Sequence, residues 1–130
     1  MAIILDGKKM AAALAEEQKA RVDALRARGV GVGLAVVLAG EDPASQIYVR
    51  NKEAACHALG VFSQTVRLPQ AVSQQELEAV LRALCQDARF DGVLLQLPLP
   101  GHLDAAAALQ CIPPEKDVDG FHPVNAGRLL

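Results

Sequence analysis

A tyrosine and a lysine four residues apart, Tyr48 and Lys52, could share one face of a helix. Proton transfer by the lysine amine is the chemistry that such a pair could serve. The ordinary interpretation is a half-buried tyrosine at a helix edge with a solvated lysine beside it. The spacing alone favours that ordinary interpretation, so other residues must decide.

A glutamine interrupts an otherwise apolar segment further along the chain. Gln96 lies within GVLLQLPLP, and Pro98 and Pro100 end strand pairing there because proline has no N–H to donate. Ligands of open α/β sheets bind outside the carboxyl ends of the strands, and a buried amide needs hydrogen-bond partners. Gln96 therefore either ties down a nearby loop or holds a lysine or a ligand.

Two carboxylates follow in the segment KDVDGFHP, which turns at Gly120. One of Asp117 and Asp119 can simply cap the turn. The other could accept two hydrogen bonds from the edge of a ligand.

The segments that carry these residues alternate between strand and helix patterns. The order reads as four successive strand–helix pairs after a short N-terminal start, which predicts a three-layer α-β-α fold with a mostly parallel sheet in a single domain. Residues 113–130 read as an irregular tail. The predicted strands include 32–40, 61–69 and 90–100, and the predicted helices begin at Asp6, Asp42, Ser73 and Asp104.

The apolar spacing within the helices predicts which of their faces are buried. The helix that begins at Ser73 has the clearest pattern, because a capping box precedes its apolar row. The predicted buried residues are Met10, Leu14, Val22 and Leu25 in the first helix, Ile47, Ala54 and Ala58 in the second, and Leu77, Val80, Leu81 and Leu84 in the third.

Composition narrows the function classes. With 130 residues, 52% apolar and 22% charged, the chain is long enough for one globular core. A net charge of −2 without a basic block predicts no nucleic-acid partner, and no apolar run is long enough to predict a membrane span. Three cysteines and three histidines without ligand spacing predict reduced thiols and no metal site. Reduced thiols predict a cytoplasmic protein, and the short apolar start MAIILDGKK, which lacks a positively charged beginning, is not expected to be a signal peptide.

Three stretches in this order resemble the bifunctional methylenetetrahydrofolate dehydrogenase/methenyltetrahydrofolate cyclohydrolase family. They are DPASQIYVRNK, GVLLQLPLP and KDVDGFHPVNAGRL, and the resemblance runs from IILDGK to the last residue. One departure is Cys85, where that family commonly has asparagine. Cys85 lies on the helix that begins at Ser73, away from the three motifs, so we expect it to affect packing and not chemistry.

The resemblance implies a role for each matching residue. Lys52 would be the catalytic lysine, and Gln96 would hydrogen-bond and position it. Tyr48 would stack on the aminobenzoyl part of the folate. Asp119 would hold the pterin, because a carboxylate accepts bonds from adjacent N–H donors well. The motifs add Val49, Arg50, Asn51, Leu95, Leu97 and Pro98 as further contacts to the folate.

The resemblance also implies which part of a larger enzyme this chain would be. Residues 1–130 would be the N-terminal folate-binding catalytic domain of an NADP-dependent enzyme of one-carbon metabolism, a pathway that serves purine biosynthesis. NADP would bind a Rossmann domain expected after residue 130, so no cofactor-binding residue is predicted here and the chain alone should lack dehydrogenase activity. The full-length enzyme is expected to be a cytoplasmic homodimer.

The residues themselves leave two other classes of protein open. Short-chain dehydrogenases also place tyrosine and lysine four apart. Here, however, Gly31 and Gly33 precede their strand instead of following it, and no G-x-G-x-x-G is present. A non-catalytic α/β binding module is compatible with the composition.

Overall fold

Three parallel strands and five helices form the fold, and the computed structural model describes all of residues 1–130. The elements in chain order are α1 (Gly7–Ala27), β1 (Gly33–Ala39), α2 (Pro43–Leu59), β2 (Phe62–Leu68), α3 (Gln74–Gln86), β3 (Gly92–Leu95), α4 (Ala105–Gln110) and α5 (Pro123–Arg128). The strand order is β2-β1-β3, with β1 in the centre and helices on both faces, which confirms the predicted three-layer α-β-α class.

The sheet separates two apolar clusters. Because successive side chains of a strand point to opposite faces, Ala35 and Val37 of β1 face one cluster, and Val36 and Leu38 face the other. The larger cluster, under α3 and α4, also contains Leu77, Leu81, Leu84, Phe90, Val93, Leu95, Ala108 and Ile112. The smaller cluster, under α2, adds only Val49 and Leu94.

Helix α2 begins and ends as the sequence predicts. The Asp42 carboxylate accepts a hydrogen bond from the Ser45 backbone N–H at 2.8 Å, and Pro43 occupies the first turn. Gly60 ends the helix with a φ of 75°, a left-handed conformation that favours glycine. These two ends fix α2 against β1 and β2, and α2 carries both Tyr48 and Lys52.

The number of strands differs from the prediction. The sheet has three strands instead of four, and residues 1–5 are exposed and form no strand. Strand β3 ends at Leu95, so Gln96 is the first residue beyond it. The predicted irregular tail contains α5, which Pro123 can begin because its missing N–H would have no helical partner there.

The predicted buried face of α1 is correct only near its C-terminal end. Val22 is buried and Leu25 is half-buried, whereas Met10 is 61% exposed and Leu14 is 53% exposed. Helix α1 packs on α2, where Arg26 donates a hydrogen bond to the Gly60 carbonyl at 2.6 Å. The first turns of α1 therefore have no apolar neighbour to bury them.

The predicted buried face of α2 is wrong. Ile47 is 57% exposed, and Ala54 and Ala58 are also exposed. The inward row is instead Ser45, Val49, Lys52 and Cys56, which follow one another at four, three and four residues along the helix. Two of these four are polar, so a search for apolar residues selects another row.

Candidate active site

Lys52 meets Gln96 at the carboxyl end of the sheet. The lysine is half-buried on the inward row of α2, and its Nζ donates a hydrogen bond to Gln96 Oε1 at 3.0 Å. Gln96 directly follows β3, which places both groups where open α/β sheets bind ligands. The structure thus contains the contact expected between these two residues, whereas their catalytic role stays a prediction.

Gln96 is held through its backbone and its side chain. Its backbone N–H donates to the Val37 carbonyl of β1 at 2.9 Å, which continues the strand pairing by one residue. Its Nε2 donates to the Leu97 carbonyl at 3.0 Å. With Nε2 bonded to a carbonyl, the amide oxygen is the end left to face Lys52, and it can accept a bond from the amine without bringing a charge.

Tyr48 lies one turn before Lys52 and is open to solvent. The residue is 58% exposed, and Lys52 Nζ lies 5.8 Å from the centroid of its ring. An exposed aromatic ring beside an amine offers a flat apolar face on which a planar ligand can stack.

Asp117 is the carboxylate that holds the turn. It accepts hydrogen bonds from the His122 backbone N–H at 2.8 Å, from Asn125 Nδ2 at 3.0 Å and from the Phe121 backbone N–H at 3.3 Å. Partial burial acts to raise the pKa of Asp117, but these hydrogen bonds outweigh it and lower the pKa. This carboxylate has a structural task, as the sequence indicated for one member of the pair.

Asp119 has no hydrogen-bond donor within the protein and is exposed on one side. The protein atoms on its other side remove water and raise its pKa, against the opposing effect of the nearby Lys52 charge, while Asp117 adds to the rise. The lysine is therefore close enough for its charge to act on Asp119. Asp119 is an ionisable group beside Lys52 with free acceptor positions.

The other predicted ligand contacts differ in exposure. Arg50 and Asn51 are exposed on α2, whereas the side chains of Val49 and Leu95 are fully buried in the two apolar clusters. At 0% and 1% exposure, these two residues present almost no surface to a ligand. Leu97 is half-buried and joined by a cis peptide bond to the exposed Pro98. Contacts of these six residues with folate stay predictions.

Sequence reasoning missed Ser45. It is 1% exposed, and its Oγ donates a hydrogen bond to the Leu97 carbonyl at 3.4 Å. A signal was available, because Ser45 precedes Lys52 by seven residues and so lies on the same side of α2. The sequence could therefore have indicated Ser45 as a candidate site residue, because its hydroxyl shares a helix face with the candidate catalytic lysine.

Other site types have little support in the structure. No group of three or more His, Cys, Asp or Glu side chains is arranged to hold a metal ion, and all three cysteines are unpaired. Burial raises the pKa of the Cys56 thiol, which disfavours its reactive thiolate form. No helix has the length and apolar character needed to cross a membrane.

The fold and the site define an α/β domain with a half-buried amine at the carboxyl edge of its sheet, an arrangement typical of enzymes that bind small molecules. The chain belongs to the tetrahydrofolate dehydrogenase/cyclohydrolase catalytic-domain family, whose model matches residues 5–119. This match replaces the short-chain dehydrogenase interpretation.

Similar proteins cover almost all of this chain. The bifunctional protein FolD of Moorella thermoacetica is 53% identical over 98% of the chain, which corresponds to 45% of that relative. The crystal structure of the bifunctional enzyme FolD from Campylobacter jejuni matches 95% of the chain with a TM-score of 0.93 and 43% identity, and 44% of that structure is covered.

A third match carries ligands. The Trypanosoma brucei methylenetetrahydrofolate dehydrogenase-cyclohydrolase, solved in complex with NADP cofactor and an inhibitor, matches 98% of the chain with a TM-score of 0.93 and 39% identity. The chain covers 44% of that protein. The chain thus spans less than half the length of the relatives that it matches.

Proposed function

We propose that this chain is the folate-binding catalytic part of an enzyme that oxidises 5,10-methylenetetrahydrofolate and hydrolyses 5,10-methenyltetrahydrofolate to 10-formyltetrahydrofolate. The observation that carries this proposal is the 3.0 Å hydrogen bond between Lys52 Nζ and Gln96 Oε1 at the carboxyl edge of the sheet. Membership of the family supports the same function.

Tyr48 and Asp119 would hold the aminobenzoyl group and the pterin of the folate, respectively. The exposed Tyr48 ring would stack on the aminobenzoyl group. The free acceptor positions of Asp119 would receive the adjacent N–H donors of the pterin, a pair of charge-assisted hydrogen bonds. Lys52 lies beside both residues, so the reactive one-carbon unit between pterin and aminobenzoyl group would face its amine.

Hydrolysis requires three proton movements at this site. A water oxygen bonds to the methenyl carbon while the water gives up a first proton. One carbon–nitrogen bond then breaks as that nitrogen gains a proton, and the remaining hydroxyl proton leaves to solvent as the formyl carbonyl forms. An uncharged Lys52 amine would accept the first proton and could return it to the nitrogen. The neutral Gln96 amide holds the amine in place without adding a charge.

Oxidation additionally requires a hydride acceptor, and the residues of this chain do not fit a dinucleotide. A pyrophosphate binds where glycines open the turn between a strand and a helix N-terminus. After β1 that turn carries the carboxylates of Glu41 and Asp42, and Asp42 already caps α2. After β2 the Ser73–Glu76 capping box occupies the next helix start. NADP would supply the hydride acceptor from a site outside these residues.

The domain arrangement is part of the proposal. Residues 1–130 would form the N-terminal catalytic domain, and a Rossmann domain that binds NADP would follow residue 130. The whole enzyme would act as a cytoplasmic homodimer. The further domain is supported by the length of each cited relative, which is more than twice that of the part matched here.

Direct assays of the 130-residue chain test this function. We expect weak binding of folate, slow hydrolysis of 5,10-methenyltetrahydrofolate, no binding of NADP by fluorescence titration and no NADP reduction with 5,10-methylenetetrahydrofolate. Slow hydrolysis is expected because one side of Tyr48 stays in water. NADP reduction as fast as in a two-domain relative would overturn the proposed place of the cofactor site, and absence of folate binding would overturn the proposed substrate.

A further inference from the structure

One carbonyl, that of Leu97, connects the two halves of the proposed site. Gln96 Nε2 donates to it at 3.0 Å from the end of β3, and Ser45 Oγ donates to it at 3.4 Å from the first turn of α2. This second contact joins α2, which carries Lys52, directly to the segment that carries Gln96. The roles that the family resemblance implies do not include Ser45.

The Leu97 carbonyl determines which end of the Gln96 amide faces the lysine. If the amide turned over, its Oε1 would meet the Leu97 oxygen, acceptor against acceptor, and its Nε2 would meet the Lys52 amine, donor against donor whenever that amine is protonated. Only the observed orientation satisfies both ends. If the Leu97 carbonyl moved away from Nε2, only the contact with Lys52 would still favour the observed orientation of the amide.

Ser45 is placed to keep that carbonyl still. Its residue is 1% exposed, and its backbone N–H is bound by the Asp42 carboxylate at 2.8 Å. Both the N–H and the hydroxyl of Ser45 lower the pKa of Asp42, so the single hydroxyl proton is shared between that carboxylate and the Leu97 carbonyl. The bond to Leu97 is long, so Ser45 contributes orientation more than strength.

We propose that Ser45 is a positioning residue, which holds the Leu97 carbonyl and thereby fixes the Gln96 amide with its oxygen toward Lys52. This inference rests on the proposed function. Ser45 acts through Gln96 and does not itself touch the substrate. Its removal should therefore change the turnover number more than the Michaelis constant.

The first test reads the Gln96 amide directly and requires no activity. In nitrogen–proton NMR spectra of this chain, the two Nε2 proton signals are assigned by their loss in Gln96→Ala. In Ser45→Ala we expect these signals to shift together and to exchange with solvent about tenfold faster. Ser63→Ala is the matched control, because Ser63 is half-buried on β2 and its hydroxyl makes no hydrogen bond. Unchanged Gln96 signals in folded Ser45→Ala would overturn the proposal.

The second test is a double-mutant cycle on the hydrolysis of 5,10-methenyltetrahydrofolate. Ser45→Ala should lower kcat about tenfold and change KM less than about threefold. In a Gln96→Ala background the same change should have little further effect on kcat, because Ser45 acts through the Gln96 amide and that amide is absent. Equal effects in both backgrounds would show that Ser45 acts only by capping α2 with Asp42, and would overturn the positioning role.

The cycle also separates this inference from the function on which it rests. If wild-type chain and Lys52→Met hydrolyse the substrate equally, the proposed function fails, whatever the amide signals show. If Lys52→Met loses hydrolysis while Ser45→Ala keeps the wild-type kcat, the function stands and the role of Ser45 is wrong.

Discussion

The two faces of the sheet are built for different tasks. Under α3 and α4, ten buried apolar residues form a continuous core without a polar member. Under α2, the cluster has four residues, and the inward row of the helix also carries Ser45 and Lys52. The first face supplies most of the apolar burial, and the second gives up part of its burial to place polar groups at the carboxyl end of β3.

The sharpest way to separate the two faces is Lys52→Met. Methionine keeps an unbranched apolar stem in the half-buried position but has no amine, so we expect hydrolysis to fall about 10²–10⁴-fold. The free energy of unfolding should change little. Lys19→Met on α1, which removes a lysine paired with Asp23 in solvent, is the matched control. Wild-type hydrolysis by Lys52→Met in a stopped-flow assay would show that the chemistry lies elsewhere.

A core substitution on the other face should show the opposite pattern. Leu81 is 0% exposed under α3, so Leu81→Ala should lower the free energy of unfolding by about 2–5 kcal/mol in urea titrations. Below the unfolding transition, folate affinity should stay near that of wild type. Leu14→Ala is the control, because Leu14 is 53% exposed and should cost much less. A loss of folate affinity without loss of stability in Leu81→Ala would contradict the division between the faces.

This division also explains what the sequence could predict. The α3 face follows simple rules, because its capping box and apolar row contain no functional residue, and Leu77, Leu81 and Leu84 are buried as predicted. On α2 the same rules selected Ile47, although the true inward row includes Ser45 and Lys52. Residues that serve chemistry occupy core-facing positions there and hide the periodicity.

The strand order and the candidate site show what local sequence patterns could not predict. Alternating segments predicted a parallel sheet, but the central place of β1 depends on long-range pairing that no local pattern encodes. The meeting of Lys52 with Gln96 was expected from family motifs and from the position of a glutamine after an apolar strand. The division of tasks between Asp117 and Asp119 needed the hydrogen bonds of the turn.

The two carboxylates of that turn offer the next comparison. Asp119→Ala should weaken binding of 5-formyltetrahydrofolate by about 1.5–3 kcal/mol, because it removes charge-assisted hydrogen bonds to the pterin. Asp117→Ala should instead loosen the turn, since three donors lose their acceptor. Calorimetric titration together with thermal unfolding of both variants separates affinity from stability. Equal losses of affinity in the two variants would count against assigning the pterin to Asp119 alone.

The smallest expected effect is a pH dependence of folate binding that belongs to Asp119. Only the ionised carboxylate accepts both pterin N–H bonds, so affinity should fall as pH drops through the pKa of Asp119. Partial burial raises this pKa, and the decline should therefore begin at a higher pH than for an ordinary aspartate. Asp117 has a lowered pKa and stays ionised in that window, which keeps the turn closed.

The measurement is the affinity for 5-formyltetrahydrofolate across the acidic range, in wild type and in Asp119→Asn. The asparagine variant should bind more weakly at neutral pH and lose the part of the pH dependence that protein titration causes. Any slope that remains belongs to the ligand, and Asp23→Asn, an exposed carboxylate on α1, should show the full wild-type slope. If Asp119→Asn kept that full slope, the titrating group would be another residue, and the free acceptor positions of Asp119 would have no part in holding the pterin.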